Sequence, residues 1–447
     1  MTIEGFIFDY AKCVGCHACI VACYVESKVE PPIAWRQVNT FNSKRIPLAG
    51  FLNLSLACNH CIEAPCLKAC PAKAYIKEEH TGAIIHQPEK CIGCRYCTWA
   101  CPFDAPKYNK SIGIVEKCNL CNHLITNNLK PACAKQCPTG ALSFSLLDQI
   151  QHSDTIGIPT TTHQPRIKTL RVNVIEAIPQ LDISIAGFER IEYENLMITP
   201  ITKIHAKHEW PLVFFTLIFA FLSGWIYAFE SATSIMLKSL FVATSILAIL
   251  LSTFHLGKPF RASHSIANLK TSWLSREILF CVLFFSSTVL YLFIFHNIYI
   301  LIITAVISLS LLISIEMVYS IPKKNYKTPL HSSNTVLTAL MFGFLYSGLL
   351  KLLVAVITIK ALLYIVRKGN SQPYLEPLTM VFIFIRVLFG LIFPIGVISF
   401  ASDNGSLFLL FPLLIGEIID RYEFYNDIYI DSPSKNFEQL FKNTIMK

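Results

Sequence analysis

The chain is short of charge. Asp, Glu, Lys and Arg make up 15% of its 447 residues, against about 25% in ordinary soluble domains. The polar shell that a soluble protein of this length needs is missing, so a wholly soluble enzyme is excluded. No Gly-x-Gly-x-x-Gly turn and no P-loop occur, which removes the common dinucleotide and nucleotide-phosphate sites. Residues 1–12 carry Glu4 and Asp9 and have no apolar stretch, so no cleavable export signal is expected.

What is present is segregated. Of 17 cysteines, all but Cys281 fall between Cys13 and Cys137, and the long apolar runs follow Trp210. A shift of that size marks a domain boundary. The expected order is a cysteine-rich domain over 1–150, an extension and linker over 151–205, a membrane domain over 206–425 and a tail over 426–447.

The cysteines form four groups: Cys13, Cys16, Cys19, Cys23; Cys58, Cys61, Cys66, Cys70; Cys91, Cys94, Cys97, Cys101; and Cys118, Cys121, Cys133, Cys137. The first and third have the C-x2-C-x2-C-x3-C spacing of bacterial ferredoxins. Pro71, Pro102 and Pro138 follow the last three groups, whereas Tyr24 follows the first. Three cysteines two residues apart wrap one corner of a cubane, and the fourth starts a helix that reaches a second cluster. Zinc sites use pairs of C-x2-C and have no need of a triplet. The spacing therefore speaks against zinc and against a disulfide framework.

If the crossing rule of two-cluster ferredoxins holds, the first and fourth groups exchange their last cysteines, as do the second and third. The sets are then Cys13, Cys16, Cys19 with Cys137; Cys118, Cys121, Cys133 with Cys23; Cys58, Cys61, Cys66 with Cys101; and Cys91, Cys94, Cys97 with Cys70. Four [4Fe–4S] clusters are expected. They also change the meaning of the formal charge of +9. Residues 1–150 hold 15 Lys and Arg against 11 Asp and Glu, a balance of +4. Four clusters at about −2 each bring the loaded domain to about −4, so no nucleic-acid partner is expected.

The segments "CNHCIEAPCLKACP", "CIGCRYCTWACPFDAPKYN" and "KCNLCNHLITNNLKPACAKQCPTGAL" resemble the iron–sulfur subunit of the dimethyl sulfoxide reductase family, over about residues 5–150. Related four-cluster subunits serve polysulfide, nitrite and formate enzymes, so this half implies electron wiring and leaves the substrate open. The fold class implied is an α+β, double-ferredoxin-like domain followed by an all-α membrane bundle.

In the second half, apolar runs lie at about 211–229, 235–256, 278–296, 297–317, 335–366, 378–401 and 405–419. Runs near twenty residues match the ~30 Å hydrocarbon core. The stretch 335–366 is too long for one upright helix, and a break near Gly348 and Lys351 is expected, giving eight helices rather than seven. Alternation then puts the segment after the second helix, the basic loop with Lys323, Lys324 and Lys327, and the end of the last helix on the side from which the first domain enters. "HLGKPFRA", "SWLSREI", "KTPL" and "GEIIDRYEFY" resemble the membrane anchor subunit of the same reductase, over about 205–425.

That resemblance links a histidine and a glutamate to menaquinol, matching His255 and Glu277. Both stand at helix ends, where ionisable groups at a membrane are functional candidates. Quinol oxidation releases protons that an imidazole accepts and a carboxylate passes on. Arg261 is placed to orient a quinone oxygen or a headgroup. The bland alternatives are a snorkelling His255 and a Glu277 paired with Arg276 or Arg261. Arg386 is expected to pair with Glu316 or Glu417, Cys281 to pack between helices, and Trp210 and Trp273 to anchor at the interface. His205, Lys207 and His208 read as a solvated flank. His296 has no facing histidine, so no haem is expected.

The expected activity is that of an oxidoreductase subunit. It takes electrons from menaquinol and passes them through four clusters to a separate molybdopterin-containing catalytic subunit that reduces an S-oxide, N-oxide or similar acceptor. Reverse flow into the quinone pool is the alternative, and a membrane redox sensor the remote one. The expected location is the bacterial inner membrane. The basic loops, with Lys258, Arg261, Lys270 and Arg276, satisfy the positive-inside rule with the clusters in the cytoplasm; the resemblance implies the periplasmic face, which is the expectation adopted.

Overall fold

The structure is a computed structural model. It describes residues 3–41, 52–147, 164–170, 204, 206–229, 233–320, 330–370, 377–400, 408–428 and 433. Lys323, Lys324, Lys327 and His205, most of the 151–205 segment and nearly all of the tail lie outside the described residues. The chain divides into two units, Met1–Ile201 with Ile430–Lys447, and Thr202–Tyr429.

In the first unit, β1 (Ile3–Asp9) pairs antiparallel with β8 (Leu142–Leu147), Phe6 opposite Phe144, and parallel with β9 (Ile167–Leu170), Phe6 opposite Ile167. Phe6 and Phe8 point inward, as the period of two in a half-buried strand requires. The sheet thus takes its third strand from the stretch read as an extension. Arg166 fastens it by donating through Nε to the Glu4 carbonyl at 2.6 Å and through Nη1 to the Thr81 carbonyl at 2.8 Å. Three hairpins follow in chain order: β2 (Gln37–Phe41) with β3 (Leu52–Leu56), β4 (Tyr75–Lys77) with β5 (Ile84–His86), and β6 (Lys107–Asn109) with β7 (Ile114–Glu116). Short helices α1 (Ala18–Ser27), α2 (Pro65–Ala69), α3 (Tyr96–Ala100), α4 (Asn122–Ile125) and α5 (Ala132–Lys135) hold Cys19, Cys23, Cys66, Cys97 and Cys133, and the other eleven clustered cysteines stand in the loops beside them. This is a small ferredoxin-like region.

The second unit is helical: α6 (Trp210–Trp225), α7 (Ile235–Phe254), α8 (Trp273–Val289), α9 (Ile298–Ser320), α10 (Thr335–Tyr346), α11 (Leu350–Asn370), α12 (Pro377–Val387), α13 (Phe393–Phe400) and α14 (Leu410–Asp427). A π-helical turn, Leu290–Ile294, extends α8, and another, Leu388–Ile392, joins α12 to α13. Among the described residues, four spans are long and apolar enough to cross a membrane: Ile235–Phe254, Trp273–Ile294, Ile298–Ser320 and Met380–Ile398. Their outward faces are apolar; Met236 is 81% exposed and Val306 60%, as a lipid-facing surface would be. Gly348, at φ +69°, separates α10 from α11, a backbone state glycine adopts without strain. Asn334 caps α10, its Oδ1 accepting from the N–H groups of Val336 and Leu337. Gly224 lets α6 and α10 touch: a Cβ there would lie 2.4 Å from the Ala339 carbonyl oxygen.

Candidate redox site

The two ferredoxin-type runs repeat one backbone geometry. Gly15 (φ +68°) and His17 (φ +62°) flank Cys16, and Gly93 (φ +71°) and Arg95 (φ +60°) flank Cys94. These left-handed residues turn successive N–H groups inward, a concavity suited to anionic sulfur. Backbone donors do reach the sulfurs: Ala74 N–H to Cys70 Sγ at 3.3 Å, Leu120 N–H to Cys118 Sγ at 3.3 Å and Leu142 N–H to Cys137 Sγ at 3.4 Å.

Twelve of the sixteen clustered cysteines are buried, and none forms a disulfide. Their neighbours cross between sequence groups. Burial pushes the Cys13 thiol up, and Cys19, Cys137 and Cys16 push the same way. Burial drives Cys23 to about 12, with Cys133 and Cys121 adding to it. Burial raises Cys61, with Cys58, Cys101 and Cys66 beside it. Cys97 is raised by burial and then by Cys94, Cys70 and Cys91. Thiols pushed up in this way keep their protons until a metal centre exchanges them for iron. Among the described residues no three candidate ligands converge as a single metal ion requires. A cubane, by contrast, takes one thiolate at each of four separate irons. The all-thiol donor sets fit iron–sulfur clusters.

Two buried cations stand among these sulfurs. Arg36 is 2% exposed and Lys117 3%. Burial works against the Arg36 charge, but Cys133, Cys19, Cys118 and Cys23 outweigh it. Lys117 is held charged in the same way by Cys58, Cys66 and Cys118. Two histidines are kept neutral: burial pulls His60 well below its usual range, helped by Lys117, Arg166 and Arg36, and pulls His86 to about 4.

In the helical unit, His255 caps the end of α7 and Glu277 lies in the first turns of α8, 5% exposed. Arg261 sits on the 3-10 segment Pro259–Ile266, which packs on both α7 and α8. Ser275 pins it by donating to the Ser265 carbonyl at 2.6 Å. Arg276 does not serve Glu277; it donates to the Leu269 and Lys270 carbonyls at 2.9 and 2.7 Å and lies over the Trp273 ring. The cation within reach of Glu277 is Arg421 on α14. Cys281 is buried one turn beyond Glu277, and His296 stacks on Tyr291 with ring centroids 4.6 Å apart.

The 4Fe-4S dicluster domain family matches residues 50–147, and the DMSO reductase anchor subunit (DmsC) family matches residues 204–367. One of the chains of the anaerobic dimethyl sulfoxide reductase of Escherichia coli is 32% identical over 184 residues, covering 39% of this protein and 88% of that one. The protein belongs to the dimethyl sulfoxide reductase family. It joins the electron-transfer iron–sulfur subunit and the membrane anchor of such an enzyme in one polypeptide. Within the dimethyl sulfoxide reductase family and its relations, the thiosulfate reductase electron transfer subunit PhsB of Salmonella typhi is 35% identical over 154 residues, covering 34% of this protein and 80% of that one. A sulfite dehydrogenase subunit of Allochromatium vinosum is 32% identical over 165 residues, covering 32% and 69%.

The anchor of this dimethyl sulfoxide reductase family member also holds a buried charge network, of which sequence reasoning had placed only Arg386 against Glu417 or Glu316. Arg386 meets Glu417 at 3.1 Å and Asp420 at 2.9 Å; it does not take Glu316, which pairs with His331 at 2.8 Å and Arg421 at 3.6 Å. Lys360 meets Glu417 at 3.0 Å and Arg367 meets Asp420 at 2.8 Å. The available signal was Glu417, Asp420, Glu423 and Asp427 on α14, one acid per turn along one stripe, against Lys360 and, two turns on, Arg367 and Lys368 on α11.

Proposed function

We propose that this protein takes electrons from menaquinol and passes them through four [4Fe–4S] clusters to a separate, molybdopterin-containing catalytic subunit. The crossed neighbourhoods of the sixteen thiols carry the reading: the ligand sets are Cys13, Cys16, Cys19, Cys137; Cys118, Cys121, Cys133, Cys23; Cys58, Cys61, Cys66, Cys101; and Cys91, Cys94, Cys97, Cys70. When bound, the clusters supply one-electron carriers between a two-electron donor and a two-electron acceptor. The quinol site is the α7–α8 junction. The His255 imidazole accepts a proton from a quinol hydroxyl, the Glu277 carboxylate carries a proton away, and Arg261 orients an oxygen. Arg421 is the cation whose charge Glu277 feels. The unit crosses the bacterial inner membrane eight times, α12 and α13 counting as one rod, and the clusters face the periplasm.

The test is oxidation of a quinol analogue by the purified complex, wild type against His255→Ala, with clusters quantified by EPR. Loss of quinol oxidation with four intact clusters is the expected result. Unchanged oxidation would make His255 an interfacial side chain and overturn this site. Reverse flow, into the quinone pool, is the second reading. It is favoured by the similarity to a sulfite dehydrogenase subunit, and reduction of quinone by the complex with a reduced donor would establish it.

A further inference from the structure

Three buried polar side chains each have cysteines of two different thiol sets as neighbours. Between the Cys13 set and the Cys118 set stands Arg36, with Cys19 on one side and Cys133, Cys118 and Cys23 on the other. Its Nη1 donates to Ser55 Oγ at 3.0 Å, and Ser55 Oγ lies 3.4 Å from Cys19 Sγ. Its guanidinium covers the Phe6 ring at 4.8 Å, while Nε is buried without a hydrogen-bond partner. Between the Cys118 set and the Cys58 set stands Lys117. Its Nζ donates to the Ile84 carbonyl and, at 2.7 Å, to the Cys118 carbonyl, with Cys58 and Cys66 alongside. The third gap, between Cys66 and the Cys97, Cys70 pair, holds the neutral phenol of Tyr75.

Among the described residues neither Arg36 nor Lys117 has a carboxylate partner. A buried cation without a counter-charge is strongly disfavoured, so the negative charge that stabilises these two must be the sulfur ligands themselves. The reverse also holds. A cluster that accepts an electron gains one negative charge and breaks no bond, and a cation fixed beside it in a low-dielectric interior stabilises that reduced form. Charge and hydrogen bonding around the sulfurs are what set cluster potentials.

We propose that Arg36 and Lys117 are potential-setting residues. Each raises the reduction potentials of the two clusters it separates, and the cluster on Cys118, Cys121, Cys133 and Cys23 feels both. Among the described residues the Tyr75 gap holds no such cation, so the Cys91, Cys94, Cys97, Cys70 cluster is tuned independently of Arg36 and Lys117. This rests on the four-cluster reading, which iron and acid-labile sulfide content tests separately.

The experiment is a potentiometric titration of the intact complex followed by EPR, for wild type, Arg36→Gln and Lys117→Gln. Arg36→Gln should shift the Cys13 and Cys118 clusters to lower potential, and Lys117→Gln the Cys118 and Cys58 clusters. The Cys91 cluster should hold still in both, while Arg36→Lys and Lys117→Arg stay close to wild type. Unmoved midpoints at full iron content, or an equal shift of all four, would overturn the proposal. If a glutamine variant assembles fewer clusters, the charge-retaining variants decide. Full iron with wild-type midpoints supports a role for the charge, and loss of iron there too makes the residues scaffold and sinks the idea.

Discussion

Arg386 on α12 donates through Nη2 to the Asp420 carboxylate on α14 at 2.9 Å, with both side chains buried in the helical unit. Asp420 also accepts from Arg367 at 2.8 Å and from the Ser332 hydroxyl at 2.8 Å. Removing one member of such a set strands the others. Asp420→Leu should lower the stability of the helical unit by about 3–5 kcal/mol, because two buried guanidinium groups each lose a carboxylate partner, Arg386 keeping only Glu417 and Arg367 keeping Glu423 and Asp427. Arg386→Leu combined with Asp420→Leu should recover part of that loss. Thermal unfolding in detergent checks both, and a double variant no better than the single would show that the pair is not coupled.

Glu277 is the carboxylate assigned to proton transfer, so Glu277→Gln should lower quinol-analogue oxidation about a hundredfold, in the range of general acid–base effects. The cluster content should be unchanged. Steady-state turnover with EPR quantification reads both, and a purely structural Glu277 would leave turnover close to wild type.

The iron–sulfur unit should weaken in acid. His86 titrates near 6.5 unfolded, and burial holds it at about 4 in the fold. The depressed value means that the stability is fully present above pH ~6.5 and is lost as pH falls through about 4, because only the unfolded chain takes up the proton. The contribution is on the order of 3 kcal/mol. Cluster absorbance followed from pH 7 to pH 4 should fall less steeply in His86→Gln, and superimposable curves would remove His86 as the cause.

Gly224 admits the α10 backbone so closely that an added Cβ would lie 2.4 Å from the Ala339 carbonyl oxygen and 2.7 Å from the Gly343 nitrogen. Gly224→Ala should force α6 and α10 apart and cost about 1–3 kcal/mol. Gly369→Ala, with nothing within 4 Å, is the control. Equal melting temperatures for the two variants would contradict the close contact.

The cysteine groups were legible because their spacing reports loop geometry over a few residues, and the repeated turns at Gly15 and Gly93 are the structural counterpart of that spacing. Apolar runs identified the helices for the same reason, since one side-chain property repeats along one rod. What escaped depends on contacts between distant segments. Arg36 looks in sequence like one more surface charge; only the β2–β3 hairpin and Phe6 bury it against Cys19. Glu277 has Arg276 and Arg261 as its sequence neighbours, yet Arg276 is committed to loop carbonyls and the cation in reach is Arg421. For Arg386, one of the two expected partners, Glu417, is in place, and Asp420 supplies the other oxygen. Strand β9 was invisible because four residues in a polar stretch give no periodicity, and parallel pairing to β1 supplies what local sequence does not.

The proposed crossed ligand sets also fix the order in which synthesis can complete them. Cys58, Cys61, Cys66 and Cys101 lie within one continuous stretch of polypeptide, as do Cys70, Cys91, Cys94 and Cys97, so on the proposed assignment two sets of ligands would be complete once residue 101 has emerged. The first cysteines made, Cys13, Cys16 and Cys19, wait for Cys137, and β1 waits for β8 at the far end of the same domain. On those sets the earliest ligands to be synthesised are filled only once Cys137 has emerged, and the pairing of β1 with β8 closes the sheet while the helical unit is still to be made.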